Sequence, residues 1–172
     1  QGLLYDMLGR QHNDDMREIT VAQFLHRYKI DTQHAEKVKV LAEMLFSQLL
    51  KQQPLLKRQL PMLRWAAMLH EIGLSIGHNG HHKHAAYILS NADMPGFSKR
   101  EQLLLSTWVL AHNGKLGKVS EIANTAVQWA APMCLRLAAL FLRRREVEAL
   151  PELRVKLLEQ GVQISVPKNW LL

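Results

Sequence analysis

The sequence predicts a mainly α fold, a helical bundle carrying a small C-terminal β-hairpin. Apolar residues recur at spacings of three, four and seven along most of the chain, and capping or breaking residues punctuate those segments. After residue 150 the apolar period changes to two, in two runs separated by a turn.

Residues 1–12 read as the tail of an incoming helix, followed by a helix from about Asp14 to Tyr28 with Ile19, Ala22 and Leu25 inward. Asp31 is a good N-cap, because its carboxylate can take up an unpaired amide of the first turn. His34, Val38, Leu41, Leu45 and Leu49 then share one face of the helix it opens, which ends near Gln52-Gln53-Pro54. Pro61 suits the first turn of the next helix. There Leu63, Ala66, Ala67 and His70 lie at i, i+3, i+4 and i+7, and Gly73 is expected to stop it.

Three glycines and Asn79 between Gly73 and Gly80 allow a sharp turn and a close backbone approach. A short helix from about His81 to Ser90 follows, then a turn at Met94-Pro95-Gly96. Ser98-Lys99-Arg100-Glu101 has capping-box spacing for a helix carrying Leu104, Leu105, Trp108 and His112. After the Gly114 to Gly117 loop, a helix is expected from about Pro132 to Glu146. Leu153, Val155 and Leu157, then Val162, Ile164 and Val166, alternate on either side of Glu159-Gln160-Gly161. A lone hairpin is marginal, so it must pack on the helices or gain a strand. The expected organisation is therefore 1–12 as a connecting helix, 13–150 as the helical domain and 151–172 as the hairpin segment.

With 172 residues, 48% of them hydrophobic, one substantial core is enough. Pro132 and Arg136 interrupt the longest apolar stretch, so no run approaches the roughly 20 residues that span a bilayer. The single Cys134, in an apolar helix, reads as a reduced, buried thiol, and a cytoplasmic parent is expected. A formal charge of +7 biases the surface toward polyanions. Lys83, Lys99, Arg100, Lys115, Lys118, Arg143, Arg144 and Arg145 are the candidate polyanion-binding residues. Nucleic acid is not expected, since neither a recognisable motif nor aromatics interleaved with the basic residues are present.

Histidine carries the chemistry. Leu69-His70-Glu71-Ile72-Gly73 is followed by His78-Asn79-Gly80-His81-His82-Lys83-His84, while His34 and His112 lie on apolar stripes. An inward imidazole needs a partner, so His34, His70, Glu71, His81, His82, His84 and His112 form the candidate site. A His, a His-acid pair about three dozen residues later and further His after a loop resemble the metal-dependent phosphohydrolase superfamily named for its His-Asp (HD) dyad. Those helical domains place imidazoles and carboxylates around metal ions that activate water. Here the dyad acid is Glu71 rather than Asp, and Ala139 stands where the superfamily supplies a late Asp ligand.

A closer resemblance rests on the segment Arg64 to Gly73, on His84-Ala85-Ala86-Tyr87-Ile88-Leu89, on Met94-Pro95-Gly96-Phe97 and on Pro167-Lys168-Asn169-Trp170-Leu171. In that order they resemble the C-terminal region of the exopolyphosphatase and guanosine pentaphosphate phosphohydrolase (Ppx/GppA) family. Gln1 to Leu8 resembles the segment that leaves the family's catalytic region, so the chain is expected to be a piece of a longer enzyme. The resemblance implies a degenerate HD-like bundle whose parent uses Mg to remove terminal phosphate from polyphosphate or guanosine pentaphosphate. It also implies substrate binding and homodimerisation as this region's work, with no catalytic residue of its own and metal at its His cluster left open. Two alternatives remain: an autonomous metal-dependent phosphohydrolase using His34, His70, Glu71 and His84, and a purely structural interaction module.

Overall fold

The computed structural model describes residues 2–121, 123–145 and 149–170, and within them the side chains of all but residues 2, 3, 5, 6, 8, 10–15 and 118. Helix α1 (Gly2–Arg27) is continuous, so the two helices expected on either side of residue 13 are one. No proline interrupts it, and Gly9 stands in open space. Its inward stripe is also one position away from expectation: Thr20, Val21 and Phe24 are buried, whereas Ile19 is 51% exposed. The Thr20 hydroxyl donates to Pro95 O at 2.7 Å, and Gly96 leaves room for the backbone of Arg17, so a polar contact joins the burial of Phe24 in setting this face.

Helix α2 (Thr32–Gln52) opens as expected, with the Asp31 carboxylate accepting from the His34 amide at 3.0 Å. His34, Val38, Leu41, Leu45 and Leu49 are all buried along it. A 3-10 turn, Pro54–Gln59, leads to α3 (Leu60–Leu69). This short helix is apolar nearly all round, the composition of a helix enclosed by others. It packs against α1, α2, α5 (Lys99–Ala111) and α7 (Ala126–Phe141). Ala66 and Ala67, both fully buried, let those neighbours approach.

The chain leaves α3 earlier than expected. His70 is its C-cap, and a 3-10 turn, Ile72–Ser75, replaces a helix running to Gly73. Close packing is the reason: a Cβ on Gly73 would lie 1.8 Å from His81 O, at the start of α4 (His81–Asn91). Helix α5 has the expected Ser98–Glu101 capping box, and a single short turn, α6 (Gly117–Ser120), follows it. Helix α7 starts six residues before the expected Pro132. Thr125 and Gln128 form a capping box that the apolar pattern had hidden, and Pro132 is accommodated, buried, inside the helix.

Strands β1 (Arg154–Leu158) and β2 (Gly161–Ser165) pair antiparallel, with Leu158 opposite Gly161. Two side chains of α2 complete the hairpin. Gln48 donates to Leu153 O and accepts from Val155 N, and Gln52 does the same for Leu157. Spaced by one helical turn, these amides act as a surrogate third strand along β1. Among the described residues, no helix is long and apolar enough to cross a membrane.

Candidate functional site

A cleft of about 510 Å³ opens where the start of α2, the end of α3, the start of α4 and the ends of α5 and α7 converge. His34, His70, Glu71, His81 and His112 line it, so the fold brings five of the seven candidate residues to one place. The imidazoles are close: ring centroids are 6.2 Å apart for His34 and His70, 5.0 Å for His70 and His112, and 5.3 Å for His81 and His112. His82 lies beside them, 6.3 Å from His112, but packs against Gly114 rather than lining the cleft. His84, on the next turn of α4, faces Gly77 outside the lining.

Local bonds set the tautomers. His70 Nδ1 meets the carbonyl of Ala67, and His112 Nδ1 meets that of Val109, one turn back in each case. A carbonyl only accepts, so each Nδ1 carries the hydrogen and each neutral ring keeps its lone pair on Nε2. Burial lowers the pKa of His70 to about 4 and that of His112 well below its ordinary value. Burial also lowers His34, against the opposing pull of Glu71, and it lowers His81 and His82. The imidazoles are therefore neutral near pH 7.

His34 Nε2 lies 3.2 Å from Glu71 Oε1. Arg145 closes the arrangement. Its guanidinium donates to Glu71 Oε2 at 2.7 Å and Oε1 at 3.2 Å, and to Asp31 Oδ2 at 2.6 Å. Asp31, in turn, accepts from the His34 backbone, and that hydrogen bond is the main reason its carboxyl pKa is lowered. Asp31, His34, Glu71 and Arg145 thus form a closed ring tying the α2 N-terminus, the end of α3 and the segment after α7.

This donor set can be tested against a metal ion. His34, His70 and Glu71 offer atoms within 4.8 Å of one another, the one such group among the described residues. However, both Glu71 oxygens face the Arg145 guanidinium, and the α7 wall of the cleft offers Ala139. A sole carboxylate already paired with a guanidinium, with Ala139 where a second acid would stand, does not fit a resident divalent cation.

The basic candidates divide. Arg143 and Arg145 line the cleft, whereas Lys83, Lys99, Arg100, Lys115 and Arg144 stand exposed outside it, and the Lys118 side chain lies outside the described residues. Arg136 was not among the candidates, yet it lines the cleft and donates to Ala111 O and Gly114 O, both at 2.9 Å. A lone Arg in an otherwise apolar helix was its available signal. His78, Asn79 and Asn113 complete the polar rim. Cys134 is buried and does not line the cleft, with burial pushing its thiol up to about 12.

Comparison with known proteins agrees with this architecture. The family described as Ppx/GppA phosphatase, domain III, matches residues 16–172. Proteins named guanosine-5'-triphosphate,3'-diphosphate pyrophosphatase are similar along 99% of the chain: 34% identical in Pseudoalteromonas translucida and 35% in Aeromonas hydrophila. The chain spans 35% and 36% of the lengths of those two relatives.

Proposed function

The chain belongs to the Ppx/GppA phosphatase family, and from that premise we propose that it is the non-catalytic helical domain of a polyphosphate or guanosine pentaphosphate phosphohydrolase, supporting substrate binding and dimerisation. The observation that carries this reading is Arg145. A guanidinium bound to both oxygens of Glu71 supplies the positive charge that a catalytic metal would, and it cannot activate water. The Mg of the parent then belongs to its catalytic region elsewhere, and the cytoplasm is its compartment.

Substrate support comes from positive charge. A long anion whose terminal phosphate is being hydrolysed elsewhere needs its remaining phosphates held, and Lys83, Lys99, Arg100, Lys115, Lys118 and Arg143 to Arg145 are the residues for it. Many weak contacts along one chain add up to useful affinity, and they are screened by salt. Exposed apolar side chains support dimerisation: Leu4 and Met7 on α1, with Leu158, Ile164 and Trp170 at the hairpin end. Leu3 and Leu8, in the same terminal segment, lie outside the described side chains. A twofold contact burying at least about 1,000 Å² in total is expected.

The test pairs two assays on the chain. Long-chain polyphosphate should bind and weaken steeply with salt, while no phosphate is released from polyphosphate or guanosine pentaphosphate with Mg present. Steady metal-dependent release that disappears in His70→Ala would overturn the reading in favour of an autonomous phosphohydrolase. Light scattering that shows only monomer across a tenfold rise in concentration would remove the dimer.

A further inference from the structure

The two edges of the hairpin differ. On β1, the amides of Gln48 and Gln52 meet the backbone at Leu153, Val155 and Leu157. The N–H and C=O groups of successive residues in a strand point to opposite sides, so Arg154, Lys156 and Leu158 turn theirs toward β2. Their partners in the register are Ser165, Gln163 and Gly161. The N–H and C=O groups of Val162 and Ile164 therefore point away from β1, and none of the hydrogen bonds among the described residues reaches them. An edge left unpaired in this way is a template for another strand.

Strand β2 also carries none of the usual protection. Edge strands are commonly blunted by Lys, Pro or a bulge, whereas Gly161-Val162-Gln163-Ile164-Ser165 is uncharged, free of proline and paired with β1 in unbroken register. Gln163, Ile164 and Ser165 are exposed. Ile164 stands apart from its own stripe: Val155, Leu157, Val162 and Val166 lie in or against the core, but Ile164 does not and is 37% exposed. An apolar side chain and a run of backbone groups are thus left open at the same place.

We propose that the outer edge of β2 pairs with the same edge of a second copy of this chain, antiparallel across a twofold axis at Gln163, so that two hairpins join into one continuous sheet. The proposal rests on the dimerisation reading above and deepens it by naming the contact. Gln163 is the midpoint of Gly161–Ser165, so this axis aligns the two strands along their whole length. Val162 of each copy then faces Ile164 of the other, and each such pair exchanges both of its N–H to C=O bonds. Ile164 gains an apolar neighbour across the new edge. A strand suits its own copy only if no charge meets itself at the axis, and the neutral amide of Gln163 satisfies that condition. A strongly charged partner finds nothing complementary along this edge. Exposed Leu158 and Trp170 add apolar surface beside the strand, which a contact of about 1,000 Å² in total needs in addition to the paired backbone.

Sedimentation at graded concentration measures association of the whole chain, unaltered and as Gln163→Lys and Gln163→Glu. A lysine at the axis opposes its own copy, with Lys156 beside it on β1, and should weaken association by about tenfold or more. Glutamate should weaken it less, because Lys156 offsets the new charge. An equimolar mixture of the two variants should restore dimers, since lysine then meets glutamate, and a substitution that merely disturbed the hairpin would not be rescued in this way. In the unaltered chain, amide exchange at Val162 and Ile164 should slow as concentration rises. Variants that both dimerise as the unaltered chain does, or a mixture no stronger than Gln163→Lys alone, would overturn the edge contact and leave dimerisation to another face. An unaltered chain that stays monomeric, with Val162 and Ile164 exchanging freely at every concentration, would end the dimerisation reading as well.

Discussion

Backbone and side chains exchange roles between the dyad cleft and the hairpin. In the cleft, the carbonyls of Ala67 and Val109 hold the imidazoles of His70 and His112 by one nitrogen each and leave the other free. At the hairpin, the amides of Gln48 and Gln52 serve the backbone of β1, and each satisfies both an N–H and a C=O. One region fixes groups whose remaining valence faces an open space. The other closes every bond it touches along that edge, which is how a two-stranded ribbon gains the support it lacks alone. The difference separates a place that keeps hydrogen-bonding valence open from one that closes it.

The largest expected effect breaks the cleft while sparing the hairpin. Gly73→Ala puts a methyl group 1.8 Å from His81 O, a clash of backbone with backbone that no rotamer relieves. It should cost more than about 4 kcal/mol of stability in chemical denaturation, among the larger effects a single substitution has. A loss below about 1 kcal/mol would mean that α4 can shift away from the dyad at little cost.

Acid should act on the same region. His70 has a folded pKa of about 4 against an ordinary value of 6.5, so between those limits the unfolded chain binds the extra proton. Stability is then fully present above about pH 6.5 and falls as the pH is lowered toward 4, below which the loss levels off. This one residue contributes about 3 kcal/mol to that change, and His112 acts in the same direction. A denaturation midpoint that stays constant from pH 7 to pH 5 would contradict the burial of neutral imidazoles.

Gln48→Ala tests the other side of the comparison. Leu153 O and Val155 N lose their partner, at a cost of about 1–2 kcal/mol, and amide exchange at Val155 should quicken while that of α3 is unchanged. Exchange that quickens equally in both would show that hairpin and helices open as one unit. The smallest effect belongs to Arg145→Ala. Its side chain is 46% exposed, so stability should change by no more than about 1 kcal/mol despite the two carboxylates it joins. What should change is ligand preference, with the cleft gaining affinity for zinc, read by calorimetry, once Glu71 is released.

Much of this fold was legible from local signals. Asp31 and Ser98 were read correctly as caps because the bonds they make span only three residues. The apolar stripe of α2 and the alternation around Glu159-Gln160 likewise need no distant partner to be recognised. Expectation failed where a distant partner decided. The face of α1 depends on Pro95 and Gly96 and the end of α3 on His81, whereas the start of α7 rests on a local capping box at Thr125 that the apolar pattern masked.

The site divides along the same line. Sequence alone determined that His34, His70 and His112 point inward, because helical period fixes the face on which a residue lies. It also showed that Ala139 cannot be a ligand. Only the tertiary structure decided that these imidazoles share one cleft, that Arg145 crosses 74 residues to bind both oxygens of Glu71, and that Arg136 lines the wall. A charge can be counted in a sequence, but its partner is set by the packing of helices far apart along the chain, and here that packing pairs Arg145 with the dyad acid Glu71.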